Sequence, residues 1–233
     1  MNPLKQALKS YSWFLENSIA ATKLLSVTLL ATIAYAWAQT SEIGFLPIVY
    51  LVWLIVISMV MIQLHRFILL DLELNEIKYY KKPKKSTFIY LGYWVLITAL
   101  ERASGMLIEY IPLDNLLSLL SFIIFLPLFL YILIRFYMVL PATAIDRSFN
   151  FAWALSKGNE KHLILSTLIL LLLMVILLFM VVIILAFSPN NFLYMLAINF
   201  SVILNLFIVN VHYSLLFKLF IKEQNKTDVE IEI

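Results

Sequence analysis

Charged side chains are rare inside the apolar stretches of this chain, and one adjacent pair stands out. Glu101 and Arg102 sit within the long apolar run that begins at Phe88, and Glu109 falls on the same helical face as Arg102. At about 1.5 Å per residue the pair lies roughly 20 Å along a helix from Phe88. Charge inside hydrocarbon is costly, so Glu101, Arg102 and Glu109 form a candidate intramembrane polar site. Two readings follow. The residues could line a polar pathway or proton relay, or they could neutralise one another and hold a helix hairpin. The second needs no further groups and is the expectation here. Pro127, mid-way along the next apolar run, removes a backbone donor and should kink its helix beside them. Gly92 and Gly105, with Ala99 and Ala103, would permit a close helix approach.

The last apolar run carries Asn199, Asn205, Asn210 and His212. Asn199 and Asn210 are separated by nearly whole turns and share a face with Ser214, whereas Asn205 and His212 share another with Ser201. Amides between membrane helices act chiefly as interhelical glue, at about 0.6–2 kcal/mol each, and that is the role expected of all four. A substrate-lined cavity is the sharper alternative.

Other chemistries lack their residues. His65, His162 and His212 are far apart, with no carboxylate at a metal-ligand spacing, so no metal site is expected. His65-Arg66 and His162 read as solvated anchors at helix ends. Cys is absent, which excludes disulfides, thiolate sites and a Cys nucleophile. No Gly-x-Ser-x-Gly elbow occurs. With four glycines there is no phosphate-cradling loop. No cofactor and no enzymatic activity are expected.

These residues must be positioned by elements of an unusual composition. Of 233 residues, 63% are hydrophobic and 13% charged, against roughly half and a quarter in soluble domains. Apolar runs near or above the roughly 20 residues that cross a bilayer recur along the chain. They are too long for strands. The expected fold is all-α: a polytopic membrane protein of six transmembrane helices at about 19–39, 45–64, 88–111, 116–140, 163–187 and 192–220. Residues 1–18 form an N-terminal interfacial helix with Leu4, Ala7, Leu8, Tyr11 and Leu15 at helical spacing and Lys5, Lys9 and Ser12 between them. Asn17 and Ser18 offer cap chemistry for the first span. A second interfacial helix is expected at Ser148 to Ser156, and residues 222–233 form a cytoplasmic tail.

All of the 17 Lys and Arg residues except Arg102 lie at the N-terminus, in alternate gaps between these runs, or at the C-terminus. The gaps near Glu42, Asp114 and Pro189 contain none. The cytoplasmic side retains Lys and Arg, so both termini are expected inside, with the spans paired as antiparallel hairpins. Ala36-Trp37-Ala38 matches a signal-peptidase pattern, but the long region before it, with Glu16, argues against cleavage. The cluster Lys78, Lys81, Lys82, Lys84 and Lys85 lies beside the membrane and is a candidate contact for anionic lipid headgroups, at about 1 kcal/mol per basic residue. The net charge of +3 is dispersed, so no nucleic-acid partner is expected.

One stretch resembles a known group. Arg135, a Leu140-Pro141 step, Asp146, then an Ala-rich helix through Phe149, Ala152 and Trp153 ending Ser156-Lys-Gly158-Asn159 looks like a pattern in YciC-like bacterial inner-membrane proteins and in the membrane domain attached to some glycerophosphodiester phosphodiesterases. It covers about 25 residues. The likeness implies a multi-span protein of the bacterial inner membrane without catalytic residues of its own. Within the stretch, Pro141 should end the helix carrying Arg135, and Arg135 and Asp146 are a candidate structural pair. The expected function is that of a non-enzymatic accessory, assembly or envelope-homeostasis component with the lipid bilayer and an unidentified membrane protein as partners. The alternative is a small transporter or channel with a polar site near Glu101, Arg102 and Pro127.

Overall fold

Asn2 and Pro3 start the first helix, α1 (Pro3–Glu16). The Asn2 side chain accepts from the Leu4 amide at 2.9 Å, and Pro3 occupies a first-turn position where its missing N–H is no loss. The computed structural model describes residues 2–41, 44–73, 85–110, 129, 131–132, 134–145, 160–186 and 191–231; the side chains of 86, 101–110, 160–161, 178, 184–186 and 223–231 stand outside that description. Among the described residues these helices follow: α2 (Ser18–Thr40), α3 (Leu46–Leu69), α4 (Lys85–Tyr110), α5 (Val139–Ala144), α6 (Glu160–Ala186) and α7 (Asn191–Ile231). No strand occurs among the described residues. Ser18–Thr40, Leu46–Leu69, His162–Ile183 and Asn191–Lys222 are long and apolar enough to cross a membrane. In α4 the apolar segment Thr87–Leu100 is shorter, and the run expected at 116–140 falls mainly outside the described residues.

α7 is the helix around which the others gather: it packs against α1, α2, α3, α5 and α6. Side-chain bonds fix its direction. Asn199 meets Gln39 at the far end of α2, whereas Lys218 meets Asp71 just past α3. One end of the bundle therefore holds α1, and the opposite end holds the α2–α3 turn at Gly44. α2 and α3 form a hairpin joined by Trp53 Nε1 donating to Thr32 Oγ1 at 3.2 Å. The core includes Leu24, Ile57, Met61, Leu64, Phe207 and Phe217. On α6, by contrast, Leu168, Leu172, Val175, Ile176, Phe179 and Ile183 are exposed. A continuous apolar face of that kind is foreign to a water-soluble monomer.

Local structure departs from the sequence expectations at four points. Asn17 caps α1 at its C-terminal end rather than α2 at its start: its backbone and side-chain N–H groups both donate to Trp13 O at 2.9 Å. Two donors on one short residue meet a carbonyl that the end of the helix leaves open. Pro141 does not stand at the end of the helix that carries Arg135. It lies inside α5, and the break falls at Met138. Proline cannot donate to the carbonyl four residues back, so the interruption appears upstream and the ring settles in the first turn of the next helix. Gly92 is exposed, and a Cβ built on it meets nothing within 4 Å. The packed face of α4 is Tyr90, Trp94 and Ile97, at helical spacing, and Gly92 lies off it. Finally, His65 is fully buried rather than a solvated anchor.

α1 shows three faces. Lys5, Lys9 and Glu16 are exposed on one. Leu4, Leu8 and Leu15 are exposed on the next. The third, Gln6, Ala7 and Ser10, is buried against α6 and α7, with Phe14 set edge-on to Phe207 at 5.9 Å. The apolar stripe foreseen from the sequence is thus largely the uncovered face, and the docking face is made of small and polar residues that allow close approach.

Candidate functional site

Two polar regions occupy opposite ends of the bundle. At the α1 end, two buried histidines tie the helices together. Tyr90 Oη of α4 lies 3.1 Å from His65 Nε2 of α3, and His65 Nδ1 lies 2.6 Å from Ser214 Oγ of α7. Ser214 Oγ donates to Asn210 O at 2.8 Å. With the Ser214 hydrogen given to that carbonyl, His65 donates from Nδ1 and accepts at Nε2 from the Tyr90 hydroxyl. One tautomer satisfies every group in the chain, and aligned hydrogen bonds of this kind reinforce one another.

The second histidine, His212 of α7, faces the opposite way. Its Nδ1 lies 3.0 Å from Ser10 Oγ of α1, and its Nε2 has longer contacts to Ser166 Oγ and Thr167 Oγ1 of α6 at 3.4 and 3.5 Å. Ser10, Ser166, Thr167 and His212 are all buried. α1 is therefore held by a specific polar contact as well as by packing. Nearby side chains are less satisfied: neither polar atom of buried Gln6 nor the Tyr11 hydroxyl finds a hydrogen-bond partner. Burial pushes the Tyr11 phenol above its ordinary range.

At the opposite end, α2, α3, α4 and α7 enclose an open cleft of about 380 Å³. Tyr35 stacks on Trp53 at 4.9 Å and Tyr50 on Trp53 at 5.8 Å, forming one aromatic wall. Trp94 and Thr98 of α4 and Asn199 of α7 complete it, and none of the described lining residues is charged. Trp94 is only 3% exposed, and its indole N–H has no hydrogen-bond partner among the described residues. The size and the mix of aromatic walls with a few polar groups match small-molecule sites in general.

The residues singled out from the sequence are distributed as follows. Asn199 Nδ2 donates to Gln39 Oε1 of α2 at 2.7 Å. Asn210 is buried and donates to Leu206 O of its own helix at 2.7 Å. Asn205 is half-buried on α7. His212 joins α7 to α1 and α6, as described. Glu101, Arg102 and Glu109 lie on the last turns of α4, with side chains outside the described residues. Lys85 begins α4 and is exposed, whereas Lys78, Lys81, Lys82 and Lys84 lie outside the description. Arg135 is 1% exposed, with its guanidinium carbon 5.3 Å from the Tyr131 ring centroid; Asp146 lies outside the description. Arg66 Nε donates to Ala144 O at 2.6 Å, joining α3 to α5. Among the described residues no group of three or more His, Asp or Glu side chains could hold a metal ion.

The aromatic wall and Trp94 went unnoticed in the sequence. A signal was there: Tyr50 and Trp53, and Tyr90 and Trp94, are spaced to share a helical face, but in a chain so rich in aromatic residues the spacing does not single them out. Compared with known proteins, the chain matches no protein-family model, no curated protein and no solved structure.

Proposed function

We propose that this chain is a six-span protein of the bacterial inner membrane, with both termini in the cytoplasm, and a non-enzymatic accessory or assembly component that works through its bilayer-embedded surfaces. The observation that carries the reading is the contrast between interior and exterior. Inside, His65 and His212 direct their polar atoms at other helices of the same bundle. Outside, α6 offers an unbroken apolar face to lipid or to a membrane partner. Four helices of spanning length support the embedding, and the alternation of Lys and Arg along the sequence supports the orientation. On this reading the Lys78 to Lys85 segment touches anionic headgroups, Arg135 pairs with Asp146, and the chain is akin to the YciC-like group. Asp146→Lys then lowers the amount of protein in the membrane.

A second reading, a small transporter, draws on one observation: Thr98, in the cleft, lies a single turn before Arg102 on α4. Two measurements separate them. Reporter fusions at Lys82 and beyond Lys222 should both be cytoplasmic, and a periplasmic signal at either overturns the topology. Purification in mild detergent should bring down a membrane protein in constant ratio. Solute flux in proteoliposomes that Glu101→Gln abolishes would instead establish transport.

A further inference from the structure

α1 turns its apolar stripe away from the bundle. Leu4, Leu8 and Leu15 recur at helical spacing and are 47%, 49% and 72% exposed, whereas Gln6, Ala7 and Ser10 face inward. We propose that α1 is a clamp seated in an anionic lipid leaflet: the three leucines enter the acyl layer, Lys5 and Lys9 meet headgroup phosphates, and this seating holds Ser10 against His212. The inference deepens the membrane-embedded reading and rests on it.

Three features name lipid as the occupant. The first is depth. Ser10 Oγ meets His212 Nδ1, and His212 lies six residues before Lys218 on α7, a rise of about 9 Å. Lys218 and its exposed partner Asp71 mark the polar end of the bundle. Interfacial amphipathic helices bury their apolar faces about 5–10 Å into the headgroup boundary, so α1 stands at the level such a helix takes. The second is charge. Lys5 and Lys9 are exposed, one turn apart, on the face that adjoins the leucines, and each draws the helix toward an anionic surface. Glu16, on the same face, comes at the end of α1, beyond both. The third is attachment. α1 is fastened through its other side, by Ser10 on His212, by Phe14 edge-on to Phe207, and by Trp13 edge-on to Phe67 of α3. Lipid can therefore cover the leucines without disturbing those contacts. Seating and docking then support one another, because each fixes the orientation of α1 that the other needs.

The test uses the full chain in nanodiscs of phosphatidylcholine, with or without phosphatidylglycerol. The chain has no cysteine, so one introduced cysteine can carry a bimane probe. Bimane on Leu8→Cys should be quenched by brominated acyl chains and shielded from aqueous iodide. On Glu16→Cys it should be open to iodide. Amide hydrogen exchange across residues 4–15 should be slower in the phosphatidylglycerol discs, and Lys5→Gln and Lys9→Gln should each speed it about fivefold there. Docking is read separately. Phe14→Cys with Phe207→Cys, where the native rings meet, should cross-link several-fold faster when phosphatidylglycerol is present. Equal exchange or equal cross-linking in the two discs, or iodide access at Leu8 as ready as at Glu16, overturns the proposal. Shielding from iodide without quenching by brominated lipid assigns the stripe to a second copy of this chain and overturns it equally. Bimane on Ile176→Cys, on the exposed face of α6, separates the two levels of failure. Iodide access there defeats the embedding itself, whereas a lipid-shielded Ile176 position with an iodide-open Leu8 position defeats only the clamp.

Discussion

The α1 end and the Gly44 end of this bundle are built from similar residues and use them differently. At the α1 end, Ser10, His65, Tyr90, His212 and Ser214 point their hydrogen-bonding atoms at one another across α1, α3, α4 and α7. At the Gly44 end, Tyr35, Tyr50 and Trp53 stack, and the buried indole N–H of Trp94 has no hydrogen-bond partner among the described residues. Hydrogen bonds completed within the chain hold helices together. The difference teaches that polarity within a membrane bundle is not by itself evidence of a site: the α1 end pairs its histidines and still leaves Gln6 and the Tyr11 hydroxyl without partners among the described residues.

Substitutions can break this contrast, and the largest effect belongs at the paired end. His212→Leu leaves the Ser10 hydroxyl buried without its partner on α7 and loosens α1. We expect a loss of roughly 2 kcal/mol, since orphaning a buried group costs about 1–3 kcal/mol, read from thermal unfolding in detergent. Proteolysis near Lys5 and Lys9 should accelerate together with it. The link between His65 and Ser214 comes next. A double-mutant cycle with His65→Leu and Ser214→Ala should return a coupling of about 0.6–1.7 kcal/mol, the range of hydrogen bonds within membrane bundles. A coupling of zero would dissolve the network.

The same substitution at two tryptophans then sharpens the comparison. Trp53→Phe removes a bond to Thr32 and should lower stability by about 1 kcal/mol. Trp94→Phe removes a donor that pairs with no described group and should leave melting unchanged, or raise it slightly. Equal losses at both positions would show that Trp94 is structural. The smallest effect is expected at Gly92→Ala on the exposed face of α4, where a methyl group meets nothing. It should stabilise by about 0.5–1 kcal/mol through helix propensity alone.

Asp71 shows why local detail escaped the sequence. It takes a left-handed conformation, φ 47°, just past the end of α3, a position where glycine is the common choice. Leu72 N–H closes back on Phe67 O at 3.3 Å, and Lys218 Nζ reaches both Asp71 and Ile68 O. An Asp tolerates that backbone better than most residues, but nothing in the local sequence announced a partner 147 residues further along the chain. The misplaced roles of Asn17 and His65 have a similar origin. Cap chemistry and a position near a helix end were legible. Which helix the cap serves, and whether another element covers the end, were not.

Composition and the length of its apolar runs determined that this chain is helical and suited to a membrane, because a backbone in hydrocarbon must satisfy its own hydrogen bonds and helices do so within one segment. The same runs located the amides of the last helix and the close-packing docking face was hidden in plain view among the small residues of the first. Only the tertiary structure decided the rest. Helical periodicity says which residues share a face, yet not which face meets which helix. That depends on the packing of α7 against its neighbours, which gave His65 and His212 their partners.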